Sequence, residues 1–186
     1  RSLCASAQNV RLLFLNSLKT LYLIRHGKSD RSNFDRPDLD RPLTSRGITN
    51  CQEVGAILKT EQPSATFLAM SIARRTRQSA ENILSEFTIP EEHQMAFNEL
   101  YLPDLSTLLG FITTLNSDHD AAIIVGHEPS ISDLLFTILK KPVEPVVTSS
   151  ISKIQFACDD WSTARIDNVC SVHHRNRHNW LGQTLL

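Results

Sequence analysis

The chain has 186 residues, 41% hydrophobic and 21% charged, with 6 Gly and 8 Pro. That balance excludes collagen-like and disordered classes, and the length fits one domain of about 100–200 residues rather than two. A net charge of −1 excludes a global field that would gather nucleic acid or anionic membrane, so any anion chemistry must be local. No run of about 18 apolar residues is present to span a bilayer.

In chain order, residues 1–19 read as an N-terminal extension. Arg1, Arg11, Lys19, Arg25 and Lys28 all precede the first acidic residue, Asp30, and serines surround the apolar stretch 10–15. An ordinary extension is the main reading, and an organellar targeting segment, for mitochondrion or plastid, is the alternative that this composition offers. The four cysteines, Cys4, Cys51, Cys158 and Cys170, follow no CxxC or dense disulfide spacing. They read as reduced thiols of an intracellular protein, cytoplasmic or organellar.

The apolar run 21–24 predicts a strand covered on both faces. After Thr44 or Ser45 as N-cap, Ile48, Cys51, Gly55 and Leu58 keep helical spacing. Residues 66–70 predict a second strand. Thr76, Ala80, Ile83, Leu84 and Phe87 mark a second helix, and Leu105, Leu108, Leu109, Ile112 and Leu115 a third. Residues 121–125 predict another buried strand, Ile131, Leu134, Leu135 and Ile138 a fourth helix, and 151–156 a last strand. Strands interleaved with helices predict an α/β domain over 20–162: three layers, α/β/α, around a mostly parallel central sheet. Residues 163–186 read as a solvated C-terminal tail, although its His173, His174 and His178 have the composition of a metal-binding tract.

In such sheets ligands gather at the carboxyl ends of the strands. Two of the predicted strands end there in a histidine beside a glycine: Arg25-His26-Gly27 and Val125-Gly126-His127. A glycine allows the positive φ or close backbone approach that a loop needs when its amides wrap an anion. The predicted strand 66–70 runs into Arg74, Arg75 and Arg77 at a helix start, where a guanidinium and the helix N-terminus together attract anions. Helical geometry lets only part of that trio face one pocket. Arg41 precedes the first helix and adds a further charge, or pairs with a neighbouring Asp. The pattern asks for a dianion such as a phosphoryl group.

Arg25-His26-Gly27, Arg41-Pro42-Leu43-Thr44 with Arg46-Gly47, Ser71-x-Ala73-x-Arg75-x-x-Gln78-Ser79, Leu100-Tyr101 and Val125-Gly126-His127-Glu128-Pro129, in this order, resemble the histidine phosphatase (phosphoglycerate mutase-like) superfamily. Within it the chain is most similar to the short SixA-like phosphohistidine phosphatases. The resemblance runs from about residue 20 to Trp161 and includes Thr148; Ile72 and Ser79 depart from the usual Pro and Thr.

The resemblance implies a phosphoglycerate mutase-like fold and a phosphatase in which His26 attacks phosphorus and is transiently phosphorylated. Arg25 and Arg75 would bind phosphoryl oxygens and His127 would donate to them, with Gly27, Arg41, Glu99 and Thr148 as further substrate-binding positions. No metal or cofactor is expected, because phosphoryl transfer rests on positioning and charge neutralisation that these cations supply. Clustered cations also favour neutral His26. Glu99, Asp30 and Glu128 stay open as the general acid. No stretch is long enough for a lid domain, so the expected partner is a phosphorylated protein, phosphohistidine above all, with a small phosphate substrate as the alternative. A binding module without turnover is the competing class. Oligomeric state is left open.

Overall fold

The computed structural model describes residues 18–61, 65–142, 146–176 and 178–186, so most of the 1–19 extension lies outside the described residues. Seven strands form one sheet in the order β3-β2-β4-β1-β5-β6-β7. They are β1 (Lys19–Arg25), β2 (Ala65–Ser71), β3 (Gln94–Phe97), β4 (Ala121–Gly126), β5 (Ile151–Phe156), β6 (Val169–Asn176) and β7 (Asn179–Thr184). The α-helices are α1 (Ser45–Glu61), α2 (Arg74–Leu84), α3 (Leu105–Ile112) and α4 (Ser130–Leu139).

The α/β architecture is as expected, with the parallel part confined to β3, β2, β4 and β1; β5, β6 and β7 join antiparallel. Alternation along the central strands explains the layers. Leu21 and Leu23 of β1 and Ala122 and Ile124 of β4 pack with Leu108 and Ile112 of α3 and Leu134 and Leu135 of α4. Tyr22, Ile24, Ile123 and Val125 point the other way, to Cys51, Val54 and Leu58 of α1 and Ala80 and Ile83 of α2. The Thr44 hydroxyl accepts from the Gly47 amide at 3.1 Å, so Thr44 rather than Ser45 caps α1.

The expected tail, 163–186, is corrected by the structure: β6 and β7 extend the sheet from its β5 edge. In β6, Val172 and His174 are the buried residues, at the period of two that a half-covered strand requires. His174 is not a tail histidine: it is 6% exposed and its Nδ1 lies 2.8 Å from the Ser152 hydroxyl. Arg175 pairs with Glu61 at the end of α1 at 2.7 Å, tying β6 to the helical layer. Among the described residues, no group of three or more His, Cys, Asp or Glu could hold a metal ion, and no helix is long and apolar enough to cross a membrane.

Candidate active site

The parallel register of β1 and β4 brings the two histidine motifs together. Arg25 pairs with Gly126, so His26 and His127 leave the sheet side by side, with ring centroids 5.1 Å apart. The backbone there is clamped from three sides. The His26 amide donates to the Gly126 carbonyl at 3.1 Å, and the Ser149 amide donates to the carbonyls of Arg25 and His26 at 3.0 and 3.2 Å. Ser149 does this from a left-handed conformation, φ 64°, that a serine adopts only when its surroundings hold it there.

Gly27 has a different task from the one expected. Its amide donates to the Ser79 hydroxyl at 2.9 Å and is therefore already committed to α2. A Cβ at Gly27 would lie 2.8 Å from both Cys51 Sγ and the Gly47 carbonyl oxygen, so glycine is required by close packing of the loop on α1.

Arg75, the second residue of α2, is 3% exposed and crosses between the two imidazoles, whereas Arg74 and Arg77 are exposed. Its Nε donates to His26 Nε2 at 3.3 Å and its Nη2 lies 3.2 Å from His127 Nδ1. These contacts assign both tautomers, because a guanidinium only donates. The His26 Nδ1 lies 2.7 Å from the Gly27 carbonyl oxygen, which only accepts, so Nδ1 carries the proton and Nε2 the lone pair. In His127 the order is reversed: Nδ1 accepts from Arg75, and the proton sits on Nε2. That N–H is buried, and no hydrogen-bond partner for it exists among the described residues.

A cavity of about 450 Å³ opens over this pair. Arg25, Lys28, Arg31, Arg41 and Arg75 line it with positive charge, against the carboxyls of Asp38 and Glu128; Thr148 and Leu102 complete the wall. Of the positions singled out from sequence, Arg25, His26, Arg41, Arg75, His127 and Thr148 thus meet at one cavity. Glu99 does not: it is exposed on the short turn Asn98–Leu100 and absent from the cavity lining. Leu100 is the buried residue of that turn, which carries Tyr101 instead toward the site, its ring 5.7 Å from that of His127. Asp38 was not foreseen. It bonds Arg41, Arg75 and Tyr101, and nothing in a loop sequence rich in Asp marks this one.

Burial is the main cause that brings His26 down to about 3; its hydrogen bond to Gly27 opposes this, and the charges of Arg75, Arg25 and Arg41 reinforce it. His127 is lowered to about 3 by burial first, then by His26 and Arg75. The cation effect inferred from sequence is therefore real but secondary to burial. For Asp38, partial burial pushes upward, yet hydrogen bonds from Tyr101 and Arg41 and the Arg75 charge prevail and hold it at about 2. Glu128 is raised by burial, against a hydrogen bond from Ser132.

These shifts make stability pH-dependent with a definite sign. Between about 3 and the ordinary 6.5, the unfolded chain protonates both imidazoles while the folded chain leaves them neutral. The unfolded state then binds more protons, so stability falls as pH falls below 6.5, by up to about 1.4 kcal/mol per pH unit for each histidine. Urea midpoints measured from pH 7 to pH 4.5 should drop on this slope, and the slope should flatten in His127→Gln; an unchanged slope in that variant contradicts the assignment.

Comparison with known proteins agrees with this geometry. Residues 21–109 match the histidine phosphatase superfamily (branch 1). An uncharacterized protein of Mycobacterium leprae (strain TN) is 30% identical over 112 residues, which are 59% of this chain and span 66% of that protein's length. The protein histidine phosphatase SixA, solved in complex with tungstate, superposes with a TM-score of 0.65 at 19% identity, covering 73% of this chain and 86% of that one. The α-ribazole phosphatase of Shigella flexneri gives 0.56 at 21% identity, covering 76% and 92%. The phosphoglycerate mutase of Bacillus anthracis str. Sterne gives 0.57 at 15%, covering 81% and 96%. Residues 21–109 therefore carry the match to the histidine phosphatase superfamily, and the chain has the fold that SixA and phosphoglycerate mutase share.

Proposed function

We propose that the chain is a metal-independent phosphatase that carries the phosphoryl group on His26 Nε2 and acts on phosphorylated protein side chains, phosphohistidine foremost. The observation that carries this reading is the opposed pair of tautomers across Arg75. His26 offers a lone pair and His127 offers an N–H, at one cationic cavity. A buried N–H without a partner costs about 1–3 kcal/mol, which a phosphoryl oxygen accepting from His127 would recover.

In the first step the Nε2 lone pair forms the bond to phosphorus while the bond to the leaving group breaks in line. The Arg75 N–H that had pointed at Nε2 turns to a phosphoryl oxygen, and Arg25, Arg41 and the His127 N–H share the remaining charge. Thr148 sits at the wall as a further hydroxyl donor. In the second step water takes the phosphoryl group from Nε2, releasing orthophosphate and the neutral imidazole. The charge on the equatorial oxygens is the main demand of such transfers, and fixed guanidinium groups meet it; EDTA-treated protein should accordingly retain full turnover.

The leaving group needs a proton when it is an alkoxide. Asp30 is half-buried and lowered, chiefly by hydrogen bonds from Ser32, and both it and Glu99 lie outside the cavity lining. Glu128 lines the cavity, is raised by burial, and has a buried Oε1 without a partner while Ser132 holds Oε2. We assign it as the proton donor. Glu128→Gln should lower kcat about 10²-fold for an alkyl phosphate and leave p-nitrophenyl phosphate, whose leaving group departs unprotonated, within a few-fold. Equal losses on both substrates would remove Glu128 from the role.

Support for a protein substrate comes from the rim. Leu102 at the cavity wall is 48% exposed, and Phe34 and Leu39 in the adjoining loop are exposed as well, an apolar border suited to a folded partner rather than to a small hydrated metabolite. The free thiols of Cys51, Cys158 and Cys170 suit an intracellular setting, cytoplasmic or organellar. The cavity also has room for a small phosphoester, which keeps a small-molecule phosphatase as the second reading. Turnover of a phosphohistidine protein should exceed that of sugar phosphates; faster turnover of sugars overturns the protein-substrate assignment.

A further inference from the structure

The loop between β1 and α1 places a carboxylate where the proposed chemistry needs an oxyanion. Asp38, in the short turn Asp38–Asp40, accepts from Arg41 Nη1 at 2.7 Å and from the Tyr101 hydroxyl at 2.8 Å, and pairs with Arg75 Nη2 at 2.9 Å. Its backbone carbonyl accepts from Arg75 Nη1 at 2.7 Å. Arg75 has five N–H donors. Asp38 and the two imidazoles engage four of them. A phosphoryl group that reaches His26 and draws on the Nη groups of Arg75 and Arg41 competes with Asp38 for them.

We propose that Asp38 is an internal competitor for the phosphoryl site: its carboxylate holds the Arg75–Arg41 pair between turnovers, yields it to the substrate, and returns to it as orthophosphate departs. This inference rests on the phosphoryl-site reading and adds a residue that sets how tightly the site keeps oxyanions. Guanidinium groups bind carboxylate and phosphate with the same fork geometry, so the exchange is chemically even. Asp38 is ionised throughout the physiological range, since its neighbours hold it at about 2. Its side chain is 43% exposed, against 4% for Arg75 and 15% for Arg41, so the carboxylate is the member of the cluster free to swing into water.

The consequence follows from linkage. A ligand that binds only when Asp38 has let go sees its affinity reduced by the fraction of molecules in which the arginines are open. The reduction is the same factor for substrate and for product. A phosphorylated protein has further contacts at the rim and still binds, whereas free orthophosphate has only the arginines and the histidines. Asp38 thereby keeps ambient phosphate from filling the site and shortens the stay of the product.

The test is calorimetric titration of the full chain with orthophosphate and with tungstate, each a tetrahedral oxyanion. Asp38→Asn keeps the size and a hydrogen-bonding oxygen but removes the competing charge. Asp40→Asn removes the same charge from the same turn, at a residue outside the cavity lining. Asp38→Asn should bind both anions three- to tenfold more tightly, and Asp40→Asn should change binding less than twofold. Weaker binding by Asp38→Asn would make Asp38 a positioning residue for Arg75 and overturn the proposal. Equal gains in the two variants would reduce it to long-range charge and overturn it likewise. Binding by the parent chain with no gain in Asp38→Asn overturns this inference alone, whereas no binding by any of the three also overturns the phosphoryl-site reading.

Discussion

His26→Ala loses turnover by on the order of 10⁴–10⁶-fold, the scale seen when the attacking group of an enzyme is deleted, and it no longer takes up label from a phosphodonor. The parent chain, quenched after brief incubation, carries label that survives alkali and is lost in acid, the behaviour of a phosphoimidazole. The expectation follows from the local bonding of this ring. The Gly27 carbonyl holds the Nδ1 proton, leaving Nε2 as the basic nitrogen. Burial and three arginines keep the ring neutral down to about 3, so the nucleophilic form prevails above that value. An acidic limb in the rate profile near pH 5–6 would then report another group. A binding module makes the opposite forecast: phosphate analogues bind, no label is trapped, and His26→Ala changes nothing but affinity. Label retained in His26→Ala would place the phosphoryl group elsewhere and overturn the mechanism.

How the site assembles was legible at the strands and obscure in the loops. Two buried runs ending in Arg25-His26 and Gly126-His127 needed only parallel pairing to become neighbours, and the register of β1 and β4 supplies it. Helix geometry allowed only part of Arg74, Arg75 and Arg77 to face one pocket and the family resemblance pointed to Arg75; its burial follows from its position on the face shared with Thr76, Ser79 and Ala80. What sequence periodicity misses is held by tertiary contact. Strand β3 has four residues at the sheet edge, none of them buried and with the apolar Met95 and Ala96 the exposed pair, so it is too short to show a period. Strand β6 hides two histidines and an arginine in an alternating pattern whose buried members, Val172 and His174, are not both apolar. Glu99 drew notice for its charge, yet Tyr101 is the residue of that segment that reaches His127. The pairing of Asp38 with Arg41 is local and fits the neighbouring-Asp alternative for Arg41, but its partners at positions 75 and 101 are gathered only by the folded chain.

Arg75→Lys lowers kcat for the phosphoryl step on the order of 10³-fold while the fold persists. One lost donor to developing charge costs about 10²–10³. Lysine gives up more than one here: it retains the charge but not the planar fork, so no single ammonium can reach toward His26, His127 and the Asp38 carbonyl at once. The loss should fall on kcat more than on KM, because Arg25, Arg41 and Lys28 still draw the anion into the cavity. Trapping experiments separate the two steps: if Arg75 serves the transition state, Arg75→Lys accumulates label slowly but to the same final level, since His26 remains intact. Arg75→Ala goes further, because it also removes a cation that opposes protonation of His26, and its rate profile should acquire an acidic limb at higher pH than the parent's. A variant that kept the parental kcat while losing only affinity would show that Arg75 merely holds the ground state. The charge neutralisation would then have to come from Arg25 and Arg41 alone.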